Sequence, residues 1–399
     1  MTMLNSTLPP WPNFSSEDAL AVAGVIASNR VNYWTGDECR KFESEYAAWC
    51  GSHKAVALHN GTVALDVALK ALGVGPGDEV IVTPRTFIAS ISCVVTAGAT
   101  PVFADVDLDT GNISPATIAS RMTAKTKAVI PVHLAGWPCD MDGILELARG
   151  NGIKVIEDCA QAHGARIGGR SVGTFGDIGA WSFCQDKIMT TGGEGGMVTT
   201  NDHELWSTMW SYKDHGKSWD AVYNKQHPPG YRWLHESFGT NWRMLEVQAV
   251  LGRLQLKKLP EWTIRRTQIA HKMMAVLDQF PDILRVPKPG SGVTHAYYRL
   301  YAYVRTEALA AGWSRDRIVA ECNALGAPVF QGSCSEVYLE KAFDGSGFRP
   351  EKRLPNAMAL GENSLMFLTH PNITDEDVYR VCEVFERVLR DASNGVGSN

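Results

Sequence analysis

The stretch 155–196, VIEDCAQAHGARIGGRSVGTFGDIGAWSFCQDKIMTTGGEGG, decides how the chain is read. The apolar run 153–156 leads into Glu157 and Asp158. A second apolar run, 178–183, delivers Lys187 a few residues later. Gln161 and His163 lie between them, and four glycines in five residues follow at 192–196. Both runs have the length of buried strands. A carboxylate at one strand end and a lysine just past another can face each other across one cleft. Taken singly, each is ordinary, since strand-end Asp caps helices and a lysine after a strand is usually solvated. Their combination with the glycine run carries the information.

Outward from this stretch, strands and helices alternate. Residues 55–58 form a short strand that runs into His59, Asn60, Gly61 and Thr62 and then a helix to 72. A strand, a Gly-Thr turn and a helix start make an anion cradle, because the exposed backbone N–H groups and the positive helix end favour negative charge. No Gly-Lys-Ser/Thr follows, so it is not a P-loop. The Gly-rich 73–78 follows a helix and precedes the strand 79–82, the wrong order for a dinucleotide fingerprint. Phe87 stands at the next helix start, where it can stack on a planar ring. Further strands are expected at 101–104, 128–132 and 153–156, with helices at 114–121 and 140–149. The pattern predicts an α/β fold with a mainly parallel central sheet and helices on both faces. Ligands gather at the carboxyl ends of such strands. Residues 59–62, His133, Asp158 and Lys187 all fall there.

Residues 16–27 and the segment around Phe42, Tyr46 and Trp49 read as N-terminal amphipathic helices. Residues 165–172 read as a hairpin around Gly168-Gly169. Residues 213–240 lack a period and read as a long functional loop. Pro260 is expected to break a helix that begins after 244, with a second long helix over 262–280 leading to a smaller α+β C-terminal domain. The domains expected are 1–260, large and carrying the site, and 261–399, small.

A net charge of −5 with no basic block gives no footprint for nucleic acid. No apolar run reaches membrane-spanning length, and residues 1–14 lack the charged and apolar regions of a signal peptide. Nine cysteines without Cys-x-x-Cys spacing argue for reduced thiols in the cytoplasm, with no disulfide framework and no metal site.

The Lys187 and Asp158 pair suits a pyridoxal phosphate (PLP) site. A lysine forms a Schiff base with the aldehyde, and a carboxylate keeps the pyridine nitrogen protonated. From about residue 15 to 390 the chain resembles the sugar aminotransferases of the DegT/DnrJ/EryC1/StrS family, PLP enzymes of the type I (aspartate aminotransferase) fold. The motifs occur in the family's order: NGT at 60–62, GPGDEVIVTPRTFIAS at 75–90, PVHLAG at 131–136, EDCAQAHGA at 157–165, WSFCQDK and GGEGG within 181–196, and GTNWRM at 239–244.

The resemblance implies that Lys187 is the Schiff-base lysine and Asp158 the partner of the pyridine nitrogen. It implies Gln161 near the ring hydroxyl and Phe87 stacked on the ring. Gly61, Thr62 and Ser182 are implied at the phosphate. Asn241 is implied as a phosphate contact from the neighbouring subunit of a homodimer with shared sites. His163 is a catalytic candidate, and Tyr33 and His133 are substrate-side candidates. The implied reaction is ping-pong amino transfer from L-glutamate to a keto-sugar, most often nucleotide-linked. Alternatives are a PLP- or pyridoxamine-dependent sugar dehydratase, amino transfer to a cyclitol or aromatic precursor, and a PLP-binding homologue without activity. Intact Lys187 argues for transamination, because the family's dehydratases carry histidine there. Residues 331–335, QGSCS, depart from the Arg/Pro-rich segment of several nucleotide-sugar members.

Overall fold

The computed structural model describes residues 7–393. Its central feature is a sheet of seven strands in the order β1-β9-β8-β5-β4-β2-β3. These are β1 (Lys54–Leu58), β2 (Glu79–Val82), β3 (Thr100–Phe103), β4 (Thr126–Ile130), β5 (Lys154–Asp158), β8 (Ile178–Ser182) and β9 (Gly196–Thr200). Strand β9 lies antiparallel between β1 and β8, and the other pairings are parallel. Alternate residues of one strand join different cores. Val80 and Val82 belong to the core with Phe42, Leu65 and Trp181. Ile81 belongs to the one with Ile118, Met141 and Ile144. Both faces are therefore covered, which is why these strands read as near-continuous apolar runs.

The layers over the sheet are α1 (Ser16–Ala27), α2 (Glu38–Cys50), α3 (Gly61–Ala71), α4 (Ala89–Thr96), α5 (Pro115–Ala119), α6 (Met141–Gly150), α7 (His203–Tyr212) and the short α8 (Trp219–Tyr223). The expected hairpin is present as β6 (Arg166–Ile167) and β7 (Arg170–Ser171), joined through Gly168 and Gly169 at φ 56° and 83°. Strand β11 (Val293–Thr294) pairs with β6.

The expected break at Pro260 does not occur. A single helix, α9 (Glu246–Leu277), runs for 32 residues through the proline. An interior proline costs about 3 kcal/mol. Burial along both halves of the helix outweighs it. Ala249, Leu256 and Leu259 pack into the large core, and Ile269, Met273 and Leu277 into a second one. This second core lies under a four-stranded antiparallel sheet, β10 (Leu284–Arg285), β12 (Arg299–Val304), β14 (Ser364–Leu368) and β13 (Val329–Phe330). Helices α10 (Arg315–Ala324) and α12 (Asp375–Ser393) complete it, and α11 (Pro355–Asn363) packs toward the large sheet.

Register positions the site. Asp158 pairs with Ala180, so β5 and β8 end side by side. The His133 N–H donates to the Asp158 carbonyl at 3.1 Å. Gly196 pairs with both Leu58 and Ser182. The chain leaving β1 therefore enters α3 beside Ser182, and strand ends far apart in sequence meet at one edge.

Candidate active site

A cleft of about 1110 Å³ opens at this edge, walled on the far side by the C-terminal layer. Lys187 and Gln161 line it from the large sheet, and Tyr298 and Arg299 from β12 and the residue before it. The Lys187 Nζ lies 3.5 Å from Asp186 Oδ1 and 5.4 Å from the Tyr298 ring centroid. Burial works against its charge, but Tyr298 and Asp186 outweigh burial and hold its pKa above the ordinary value. Asp186 is the reverse case. Burial raises it, yet Lys187 and the Tyr298 hydroxyl, 2.5 Å away, pull it below the usual carboxylate range.

Asp158 is buried at the end of β5. Its Oδ2 accepts from the Ser90 hydroxyl at 2.7 Å and its Oδ1 from the Ala160 N–H at 3.1 Å. Burial raises its pKa against these hydrogen bonds and the attraction of Lys187. A cation brought to this carboxylate would reverse that shift. Gln161 uses its Oε1 to accept from the Ala135 N–H at 2.7 Å, so its amide N–H groups are the ones presented to the cleft.

Asn60 caps α3 by accepting the Val63 N–H at 3.0 Å. The first amides of a helix have no intrahelical partners, so Gly61 and Thr62 offer theirs to an anion. A Cβ at position 61 would stand 2.6 Å from the Ser182 Cβ. Only glycine lets the helix start approach Ser182 this closely. The Ser182 Oγ accepts from the Cys184 N–H at 3.3 Å and keeps its own proton to donate. Helix α4 begins at Ala89, two residues past Phe87, and leaves that ring in the cleft at 69% exposure.

Three expected residues are buried away from the cleft. His163, expected to be catalytic, is fully buried between the Trp181 and Phe183 rings. Its Nδ1 accepts from the Tyr46 hydroxyl and its Nε2 faces the Ser182 carbonyl, each at 2.9 Å. Burial lowers its pKa to about 4, so it is a neutral brace for β8. His133 binds Glu157 Oε2 at 3.1 Å and accepts the Cys139 N–H at Nδ1. Successive strand residues point to opposite faces, so Glu157 and His133 back away from the face that Asp158 serves. Glu157 also accepts the Gly173, Phe175 and Gly176 N–H groups, which occupies the one grouping of metal-type ligands found among the described residues, His133, Glu157 and Cys159. Tyr33, expected on the substrate side, is core. Its hydroxyl donates to Glu43 and accepts from Trp210, with the Lys213 Nζ 3.6 Å from its ring centroid. Asn241 is exposed and does not line this chain's cleft.

Sequence reasoning missed Ser90, Tyr298, Arg299 and Trp11. Ser90 stands three residues after Phe87, close enough for spacing to suggest it. The Trp11 indole N–H donates to the Lys187 carbonyl at 2.8 Å across 176 positions, and no local signal announces such a contact.

The sequence matches the DegT/DnrJ/EryC1/StrS aminotransferase family over residues 12–386. The chain belongs to that family. As a DegT/DnrJ/EryC1/StrS aminotransferase it has the type I fold of the PLP-dependent aminotransferases. It superimposes on the aminotransferase from Psychrobacter cryohalolentis with a TM-score of 0.96, at 61% identity over 96% of this chain and 99% of that one. It is 38% identical to GDP-perosamine synthase of Caulobacter vibrioides over 88% of this chain and 89% of the relative. A candidate sugar aminotransferase from Streptococcus pneumoniae, solved in a PLP-form, is 25% identical with a TM-score of 0.84, covering 96% and 99% of the two chains.

Proposed function

We propose that this aminotransferase moves the amino group of L-glutamate to a keto-sugar carried on a nucleotide, with PLP as cofactor and by a ping-pong mechanism. The observation that carries this reading is the meeting of a buried, hydrogen-bonded Asp158 and a cleft-lining Lys187 at one sheet edge beside a glycine-floored helix start. The donor set fits the cofactor. Lys187 would hold its aldehyde, Asp158 its ring nitrogen and Gln161 its ring hydroxyl. Phe87 would cover the ring face, and Gly61, Thr62 and Ser182 would take the phosphate. Asn241 would reach that phosphate from the second copy of a homodimer, which accounts for its exposure here. When bound, the cofactor supplies an exchangeable aldehyde and an electron-withdrawing ring.

The residues divide the remaining work. Asp158 keeps a proton on the ring nitrogen, and its two donors fix the carboxylate for that task. The Lys187 Nζ takes the proton from the Cα of L-glutamate in the first half-reaction. In the second it returns one to the sugar carbon that gains nitrogen. Because 2-oxoglutarate leaves before the sugar enters, one cleft serves both substrates. The nucleotide comes from the likeness to GDP-perosamine synthase. We also assign the large domain to 1–260, the small one to 261–399, and the protein to the cytoplasm, in keeping with its nine free thiols. Among the described residues no helix is long and apolar enough to cross a membrane.

The test is a visible spectrum of the purified protein with PLP, before and after L-glutamate, beside Lys187→Ala. A yellow band that bleaches as 2-oxoglutarate appears, and is absent from the variant, is the expected result. A protein that stays colourless with PLP overturns the reading of Lys187.

A further inference from the structure

The cleft wall built by the C-terminal layer carries and is backed by buried arginines with which no carboxylate among the described residues forms an ion pair. Arg299 opens β12, lines the cleft and is only 5% exposed. Its guanidinium lies 4.1 Å from the Tyr298 ring centroid and donates one N–H to the Tyr298 carbonyl at 2.8 Å. Arg266, on α9, is fully buried nearby, with Nη1 3.4 Å from the Tyr297 carbonyl. Among the described residues its Nε and Nη2, and Nδ1 of the buried His370, have no hydrogen-bond partner. Burial and the charge of Arg299 lower Arg266 to about 9. Among the described residues no carboxylate forms an ion pair with Arg266 or Arg299. Asp186, whose charge feels Arg299, is already taken by Tyr298 and Lys187.

An unpaired buried guanidinium is costly to keep. One that faces a cleft is a binding group, and its planar fork of N–H donors matches a carboxylate. We infer that Arg299, backed by the buried charge of Arg266, is a carboxylate subsite of this cleft. Its position beside Lys187, where amine exchange takes place, favours the α-carboxylate of the amino donor. The inference rests on the proposed amino transfer. The second source of the same chemistry is an acid group on the sugar. Arg266 touches no ligand. It is a positioning residue that strengthens the field at Arg299 from beneath.

The experiment compares wild type, Arg299→Gln and Arg299→Lys, each loaded with PLP. The readouts are rapid single half-reactions with L-glutamate and with its α-amide, binding of unreactive glutarate followed by the visible band, and return of the amino group to keto-sugars with and without a carboxylate. Loading of PLP serves as the folding control. The expected result is a rise of roughly 10- to 100-fold in the half-saturating L-glutamate concentration for the Gln variant. The Lys variant falls between, and the preference for L-glutamate over its α-amide disappears in the Gln variant. If instead only the return step to an acidic sugar suffers, the carboxylate is the acceptor's, and the assignment to the donor is overturned. Unchanged glutamate, glutarate and sugar-acid responses in the Gln variant overturn the subsite while amino transfer stands. Failure of wild type to react with L-glutamate, combined with Arg299-dependent glutarate binding, overturns the donor and leaves the subsite.

Discussion

Asp158 holds an ionisable carboxyl in a buried place, with two hydrogen bonds to steady it. Its raised pKa means that the folded, cofactor-free protein resists the charge that the role proposed for it at the cofactor's ring nitrogen requires. Asp158→Asn removes that burden, because an amide can accept from Ala160 and donate to Ser90. The expected outcome is a cofactor-free protein at least as resistant to urea as wild type, with turnover reduced by roughly two orders of magnitude or more. A variant that unfolds earlier yet turns over normally would contradict both halves. Lys187 gives a second prediction. In the role proposed for it only its neutral amine can bond to the cofactor, and Tyr298 and Asp186 keep it protonated to higher pH despite burial. The rate of PLP loading should therefore rise with pH, and Asp186→Asn should move that rise to lower pH. An unmoved profile would show that Asp186 does not set the lysine's charge. The placement of Asp158 at the end of β5 and of Lys187 in the loop after β8 was legible, because both follow from apolar runs of strand length. The burial of His163 was not legible, because it lies in one motif with Asp158 and Gln161 while its surroundings are set by Tyr46, Trp181 and Phe183.

The elements were legible where local pattern and burial agree. Strands β5 and β8 and the Gly168-Gly169 hairpin follow from apolar runs and turn chemistry. Helix α9 was not legible, because Pro260 signals a stop and only tertiary burial on both sides overrides it. The N-terminal segment is the other element that sequence could not place. Residues 8–14 reach from the C-terminal core to the cleft. Leu8 is buried in that core, and the Pro10 carbonyl accepts from the Asn372 amide at 2.7 Å. Trp11 packs edge-on to Trp262, stacks on His370 and caps the Arg266 guanidinium. Trp11→Ala should lower unfolding stability in urea by about 3 kcal/mol or more through the cavity it leaves. Trp11→Phe keeps most of the packing and gives up the bond to the Lys187 carbonyl, so its loss should be about 1 kcal/mol. Equal stability of the Ala variant and wild type would show that this segment is not held by its tryptophan.

At the scale of the molecule, two cores share one continuous helix, and the cleft lies where they face each other. The fold class and the sheet edge of the site follow from the order of strands and helices. The buried charges at the junction do not, because Arg266, Arg299 and His370 are distant in sequence and their surroundings arise only on folding. One consequence can be measured. Burial lowers His163 to about 4 and His295 to about 3, and burial together with Arg266 and Arg299 lowers His370 to about 3. In the unfolded chain a histidine titrates near its ordinary value of about 6.5. The unfolded state therefore binds more protons than the folded one as pH falls below neutrality, an excess of about one and a half at pH 6.5 that approaches three near pH 5. The sign follows from linkage: stability is fully present above pH 6.5 and is lost as pH falls, with a slope approaching roughly 4 kcal/mol per pH unit. Asp158, raised by burial, runs the other way and trims that slope. Urea midpoints of the cofactor-free protein, taken from pH 7.5 down to pH 5, should fall steadily. His163→Gln, which can keep a donor toward the Ser182 carbonyl, should flatten the decline by about one proton's share. A midpoint constant across that range would mean that these rings are protonated in the folded protein, and the Arg266, Arg299 and His370 junction would then have to be less positive than its geometry requires.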